Sequence, residues 1–292
     1  MLALMVLLYS LTRYASGFIR YAVPAPRNPI PLVCRSASAS TAPPSRAPYL
    51  ISYFTDVEGD GDYLERFVGL SRVLDRGEDG ELELAPSAHL VFGGDVVDRG
   101  GEDLKVLDVV LGLKERYPDN VHLVMGNRDA NKMRIGQELG NSTHLPEHQG
   151  VYWFRGSGRV GDPELNNVPQ DGVGRLKFLL QATMGCPDTF EFRKEEIGGT
   201  DEDVVESFRV ECAPEGRMGR YIRNAEVCVK LGPVVVTHGG IAKSPEVEDE
   251  GVCGFGAVPP SFRPVEGFAE WFEGVRDWAE KEVDDWVKGR GG

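Results

Sequence analysis

The sequence predicts an α/β fold, and three observations carry that prediction. Short β-rich runs at 50–55, 89–92, 121–125 and 234–237 are each bounded by glycine or aspartate. Helical patterns of apolar residues at 62–74 and 102–117 separate the first three runs. The resulting βαβαβ order implies parallel strands joined by right-handed crossovers.

In chain order, the run 50–55 predicts the first strand, and Asp60 and Asp62 open the helix 62–74 as capping residues. The strands 89–92 and 121–125 flank the helix 102–117, and His89 and His122 sit in them as structural residues. A helical insertion spans about 130–226, with helices expected at 173–183, 188–196, 201–210 and 217–226. Insertions over the carboxyl end of a sheet shape substrate access. His144 and His148 lie in a polar stretch, 140–150, that reads as solvated loop, and the glycine-rich stretch 156–161 also reads as loop. At 266–288, Phe268, Trp271, Phe272, Val275, Trp278, Ala279, Val283 and Trp286 recur at three and four residues, so one stripe of a helix packs on the core.

The amino terminus differs from everything after it. Residues 1–11 are almost wholly apolar, too short a run to span a bilayer easily, and suit a signal-peptide core. Residues 12–50 contain Arg13, Arg20, Arg27, Arg35 and Arg46, many Ser, Ala and Pro, and no acidic residue. That is transit-peptide composition. We therefore expect a targeting leader at 1–47 and a single domain at 48–292. The leader, with Ala15 to Phe18 at its junction, resembles the bipartite plastid-targeting leader of algae with secondary plastids; secretion, mitochondrial import and a membrane anchor are the alternatives.

The chain has 32 basic and 46 acidic residues, a net charge of −14, and the leader holds only basic ones. A surface that acidic repels nucleic-acid backbones and anionic membranes, so neither a nucleic-acid polymer nor, after leader cleavage, stable membrane association is expected. The five cysteines, Cys34, Cys186, Cys212, Cys228 and Cys253, form no Cys-x-x-Cys pair, which indicates neither a zinc ribbon nor a disulfide framework.

Four strings place donors directly after a predicted strand: FTDVEG (54–59), FGGDVVDRG (92–100), LVMGNRD (123–129) and VVVTHGG (234–240). A hard cation takes carboxylate, amide and imidazole donors converging on one point, and ligands at the carboxyl ends of neighbouring strands converge in that way.

Together these strings resemble the calcineurin-like metallophosphoesterases, whose pattern is Asp-x-His, Gly-Asp-x-x-Asp-Arg and Gly-Asn-His, followed by further histidines. GNRDANKMR (126–134) and ATMGCP (182–187) resemble a branch of algae and protists with Asp-x-Glu and Gly-Asn-Arg-Asp. The resemblance implies an α/β/β/α sandwich with a helical insertion. It also implies hydrolysis of a phosphate ester or anhydride, carried by a small molecule, a nucleotide or a phosphoprotein, through water activated between two divalent ions. Manganese is favoured, with magnesium, iron or zinc as alternatives.

The resemblance gives Asp56 and Glu58 to the first metal, Asp95 to both, and Asn127 and His238 to the second. It gives Arg99 to the phosphoryl oxygens, while Asp98 orients a neighbour. Glu58 stands where most of the family has histidine, which adds an anion and should move the pH optimum upward. Arg128 stands where the family has the histidine proposed to protonate the leaving group. Arginine stays protonated, so it can hold an oxyanion but cannot be that acid. Substrates with leaving groups that need little protonation are therefore expected, and Asp129 is a candidate substitute acid. His238 is the last of five histidines, whereas the resemblance places more after it. Two readings stay open: a chain that continues beyond Gly292, or a degenerate member that keeps only a phosphate-binding site.

Overall fold

The structure is a computed structural model, and it describes residues 50–139, 169, 171–241, 256–261, 263–265 and 267–290. The leader, His144, His148, the stretch 156–161, Cys34 and Cys253 lie outside the described residues.

Strand β1 (Ile51–Phe54) pairs in parallel with β4 (His89–Phe92), which pairs in parallel with β5 (Val121–Val124). A two-residue strand, β6 (Ala225–Glu226), extends the sheet beyond β5, for the order β1-β4-β5-β6. Side chains alternate across a strand, so the sheet presents two apolar faces. Phe54, Leu90, Phe92 and Leu123 face the larger core, where α1 (Gly61–Leu70), α2 (Asp103–Arg116) and α8 (Arg217–Asn224) contribute Leu64, Leu107 and Tyr221. Val91 and Val124 face a second, smaller cluster with Val229 and Leu231.

The fourth predicted run builds that second cluster. The run 234–237 forms β8 (Val234–Thr237), which pairs antiparallel with β7 (Cys228–Leu231) in a hairpin. A two-residue turn cannot supply the crossover a parallel partner requires. The hairpin forms the second β layer, and it carries His238 to the carboxyl ends of β4 and β5 from the opposite face.

The first helix also stops early. It ends at Leu70 with Ser71 as its cap, and Leu74–Arg76 pairs antiparallel with Leu82–Leu84 (β2 and β3). Asp60 caps the start of α1 by accepting the amide of Tyr63 at 2.8 Å.

After β5 the chain runs through α3 (Asn127–Asn131), a 3-10 turn (Lys132–Arg134) and α4 (Ile135–Glu138). The described helices of the insertion are α5 (Gly172–Phe178), continued as a π turn (Leu179–Thr183), α6 (Thr189–Ile197), α7 (Asp201–Glu211) and α8. Two insertion contacts reach the sheet end. Glu196 accepts the amides of Leu104 and Lys105 at 2.8 and 3.2 Å, satisfying orphan donors at the start of α2. Arg193 pairs with Asp103 at 3.1 Å, with both side chains buried.

A short hairpin, β9 (Gly256–Val258) with β10 (Arg263–Val265), precedes α9 (Phe268–Val287). The apolar stripe of α9 is covered: Trp271, Phe272, Val275, Trp278 and Ala279 are buried in the main core. Among the described residues, no helix is long and apolar enough to cross a membrane.

Candidate metal and phosphate site

The loops after β1 and β4 cross side by side and are stitched by backbone hydrogen bonds: Asp56 N to Gly94 O at 3.0 Å, Glu58 N to Asp95 O at 3.0 Å, and Gly59 N to Val96 O at 2.9 Å. The stitching holds the chain in an unfavourable conformation. Asp56, Glu58, Asp95 and Asp98 all have positive φ, at 53°, 51°, 54° and 112°. Non-glycine residues there cost on the order of 1–3 kcal/mol each and persist where the surroundings over-determine them, as they do at functional sites. Gly94, at φ 99°, shows how close the backbones approach: a Cβ there would lie 2.6 Å from the amide nitrogen of Gly126.

Three side chains from three loops converge. Asp56, Asp95 and His238 each offer a ligand atom, and these atoms lie within 4.8 Å of one another. Asn127 adjoins them, its Oδ1 3.1 Å from His238 Nε2. His238 Nδ1 is 2.8 Å from the carbonyl of Gly93, which takes its N–H and leaves Nε2 turned to the cluster. Burial disfavours the imidazolium, yet the hydrogen bond and charge of Asp95 hold it up to about 9. Burial likewise pushes the Asp95 carboxyl up, but His238 and Arg128 outweigh it and hold the group below the usual range. Two carboxylates, an imidazole nitrogen and an amide oxygen fit a hard divalent cation, which would replace the proton on Nε2.

Glu58, expected at the first metal, is not among the converging side chains. Its carboxylate is turned to arginines: Oε1 lies 2.8 Å from Arg128 Nε and Oε2 lies 3.1 Å from Arg99 NH1. The physical reason is charge. Asp56 and Asp95 already make the cluster anionic, whereas both guanidinium groups lie within reach of Glu58. Burial raises its carboxyl pKa, opposed by the two arginines.

Arg128 is buried at the base of the site. Its backbone amide donates to Asp95 Oδ1 at 3.0 Å, and NH1 donates to the Met184 carbonyl at 3.2 Å. NH1 also lies 3.5 Å from Asp98 Oδ2. Asp98 is fully buried, and its nearer partner is Lys132, whose Nζ lies 2.6 Å from the same oxygen. Arg99 is exposed.

Asp129 faces inward. Its two oxygens accept the amides of Asp95, Val96 and Gly126 at 2.9, 3.0 and 2.7 Å, so it joins the β4 loop to the β5 loop. Burial and the charge of Asp95 push its carboxyl up to about 7, against amides that favour its ionised form. With both oxygens engaged in this way, it is oriented as a brace and not as a proton donor toward substrate.

Several participants at the site carry little or no signal in the sequence. Lys132 stood inside the quoted string GNRDANKMR, four residues after Arg128, a spacing that puts both on one helical face. Thr189, which donates to the Asp98 carbonyl, and the Met184 carbonyl had no such signal.

The family model described as calcineurin-like phosphoesterase matches residues 56–207, more than half of the chain. The chain therefore belongs to the calcineurin-like phosphoesterase family. Over 101 residues it is 33% identical to the serine/threonine-protein phosphatase BSL2 of Arabidopsis thaliana, covering 32% of this chain and 10% of that protein. The chain thus spans about a tenth of that relative's length. Among solved structures it is similar to a serine/threonine phosphatase of Saccharomyces cerevisiae with similarity to human phosphatase PP5, at 29% identity, 29% and 24% coverage and a TM-score of 0.23. It is also similar to a cold-active protein-tyrosine phosphatase of a psychrophilic Shewanella, at 18% identity, 68% and 45% coverage and a TM-score of 0.35.

Proposed function

We propose that the protein is a metal-dependent phosphatase that hydrolyses a phosphate ester or anhydride, and that the convergence of Asp56, Asp95 and His238 beside two arginines carries this reading. Asp56, Asp95, Asn127 and His238 would hold the metal, with Asp95 placed between the β1 side and the β5 and β8 side of the cluster. In the proposed form two ions bind, manganese first among hard divalent cations. Bound there, the metal supplies Lewis acidity and lowers the pKa of a water so that it is nucleophilic near neutral pH.

The chain's own residues do the rest. Arg99 and Arg128 present planar N–H forks that bind phosphoryl oxygens and stabilise developing charge. Arg128 cannot donate a proton at any working pH, and Asp129 is turned inward. The leaving group therefore departs with little protonation, which favours anhydrides, nucleotides and phenolic esters over serine phosphates.

The test is hydrolysis of p-nitrophenyl phosphate by the full chain with and without manganese. We expect manganese-dependent turnover that Asp95→Asn abolishes while the circular dichroism spectrum is kept. Turnover that ignores both manganese and Asp95→Asn would overturn the reading. Binding of phosphate without any turnover would favour a phosphate-binding role for the same arginines.

A further inference from the structure

The two arginines are already occupied by the chain itself. Glu58 places one carboxylate oxygen against each, at 2.8 and 3.1 Å, so its carboxylate stands where phosphoryl oxygens would be clamped. Its backbone gives it no freedom to withdraw. The Glu58 amide is bonded to Asp95 O, and its carbonyl accepts the amides of Arg99 and Gly100 at 2.8 and 2.5 Å. Only the side-chain torsions can move. The base of the clamp is equally fixed, since Arg128 is tied to the Met184 carbonyl and Asp98 behind it and to Asp95 beside it. Arg99, with 58% of its side chain exposed, forms the open side through which a ligand would enter.

We infer that Glu58 is a resident anion of the arginine clamp, which a phosphate ligand must displace, and that this displacement selects phosphomonoester dianions over diester monoanions. The inference rests on the phosphatase reading for its substrate but not for its anion chemistry. An intramolecular carboxylate competes at high effective concentration. A diester offers one negative charge and two free oxygens, the same as the carboxylate it must replace, and gains nothing in exchange. A monoester or terminal phosphate offers two charges and three oxygens, so it can hold both guanidinium groups and still leave an oxygen for the metal cluster. Glu58 thus filters substrates by charge.

A plain structural ion pair makes a different prediction. If Glu58 served only to stabilise the fold, its removal would weaken the loops and leave anion affinity unchanged or lower. The decisive measurement is calorimetric binding of inorganic phosphate to the metal-free full chain, wild type against Glu58→Gln. Ligand affinity scales with the fraction of competent sites, so if the clamp is free about a tenth of the time, the variant should bind phosphate roughly tenfold more tightly. Glu58→Asn is the second variant, because asparagine tolerates the positive φ and is too short to span both arginines. With manganese present, the preference for p-nitrophenyl phosphate over bis(p-nitrophenyl) phosphate, read as the ratio of kcat/KM values, should shrink in both variants.

Unchanged or weaker phosphate binding in two folded variants would overturn the inference, while manganese-dependent turnover by the wild type would leave the phosphatase reading standing. Tighter binding without turnover in any form would uphold the resident anion and remove the phosphatase reading instead.

Discussion

At the scale of single residues, the site is a chain of alternating charges: Arg99, Glu58, Arg128, Asp98 and Lys132, each within 3.5 Å of the next. The chain becomes more buried as it descends, so its lower links matter more than its upper ones. Arg99 is exposed and contributes little to stability, as surface pairs do. Lys132 is 1% exposed, and burial opposes its charge, but Asp98 outweighs that and raises its pKa. Removing one member of a buried pair strands the other. Lys132→Met should therefore cost on the order of 3–5 kcal/mol in urea unfolding, whereas Lys132→Met combined with Asp98→Asn should recover most of that loss. A double variant no more stable than the single one would show that Lys132 acts by packing and not by charge.

At the scale of elements, the four strands read from the sequence were legible because each announced itself twice, by β-rich composition and by the glycine or donor residue that follows it. The helices at 102–117 and 266–288 were legible for the same reason, since their apolar periodicity is long enough to be unambiguous. The strands β2, β3, β9 and β10, three residues each, carried no such signal, and three further features were not legible. β6 is two residues long, too short for any pattern, and the hairpin partner β7 sits directly after it. The pairing of β8 depends on a turn two residues long, not on the strand's own composition. The orientation of the Glu58 side chain depends on where Arg99 and Arg128 sit in space, which no motif spacing encodes, so its ion pairs with them were not legible. By contrast Asp56, Asp95, Asn127 and His238 were legible because each closes a strand at the same end of the layers.

Adjacent strands carry one further testable pair. His122 of β5 has its Nε2 3.0 Å from His89 Nδ1 of β4, with the rings stacked. Burial, His89 and Lys114 hold His122 down to about 4, with Asp119 opposing them. The unfolded chain binds this proton near 6.5 and the folded protein only near 4, so protonation favours unfolding in the window between. Stability should accordingly fall as pH drops from 6.5 towards 4. The urea midpoint of His122→Gln should fall less steeply over the same range, and parallel curves would show that other groups carry the slope.

At the scale of the whole molecule, the acidic balance and the site's chemistry oppose each other. A net charge of −14 sets up a field that repels a phosphate dianion of the kind proposed for the arginine clamp. Little of the site's positive charge projects outward, because Arg128 is buried among Glu58, Asp95 and Asp98, and Arg99 is paired with Glu58. Long-range repulsion should therefore govern the approach of substrate, with attraction taking over only at contact. Salt separates the two ranges: the Debye length is about 30 Å at 0.01 M ionic strength and about 10 Å at 0.1 M, and buried pairs are screened much less than exposed charges. Raising ionic strength across that range should increase kcat/KM for p-nitrophenyl phosphate by a few-fold, chiefly through KM. The opposite trend, a fall with salt, would mean that the arginines and bound metal steer the substrate from a distance and that the acidic surface faces away from its path.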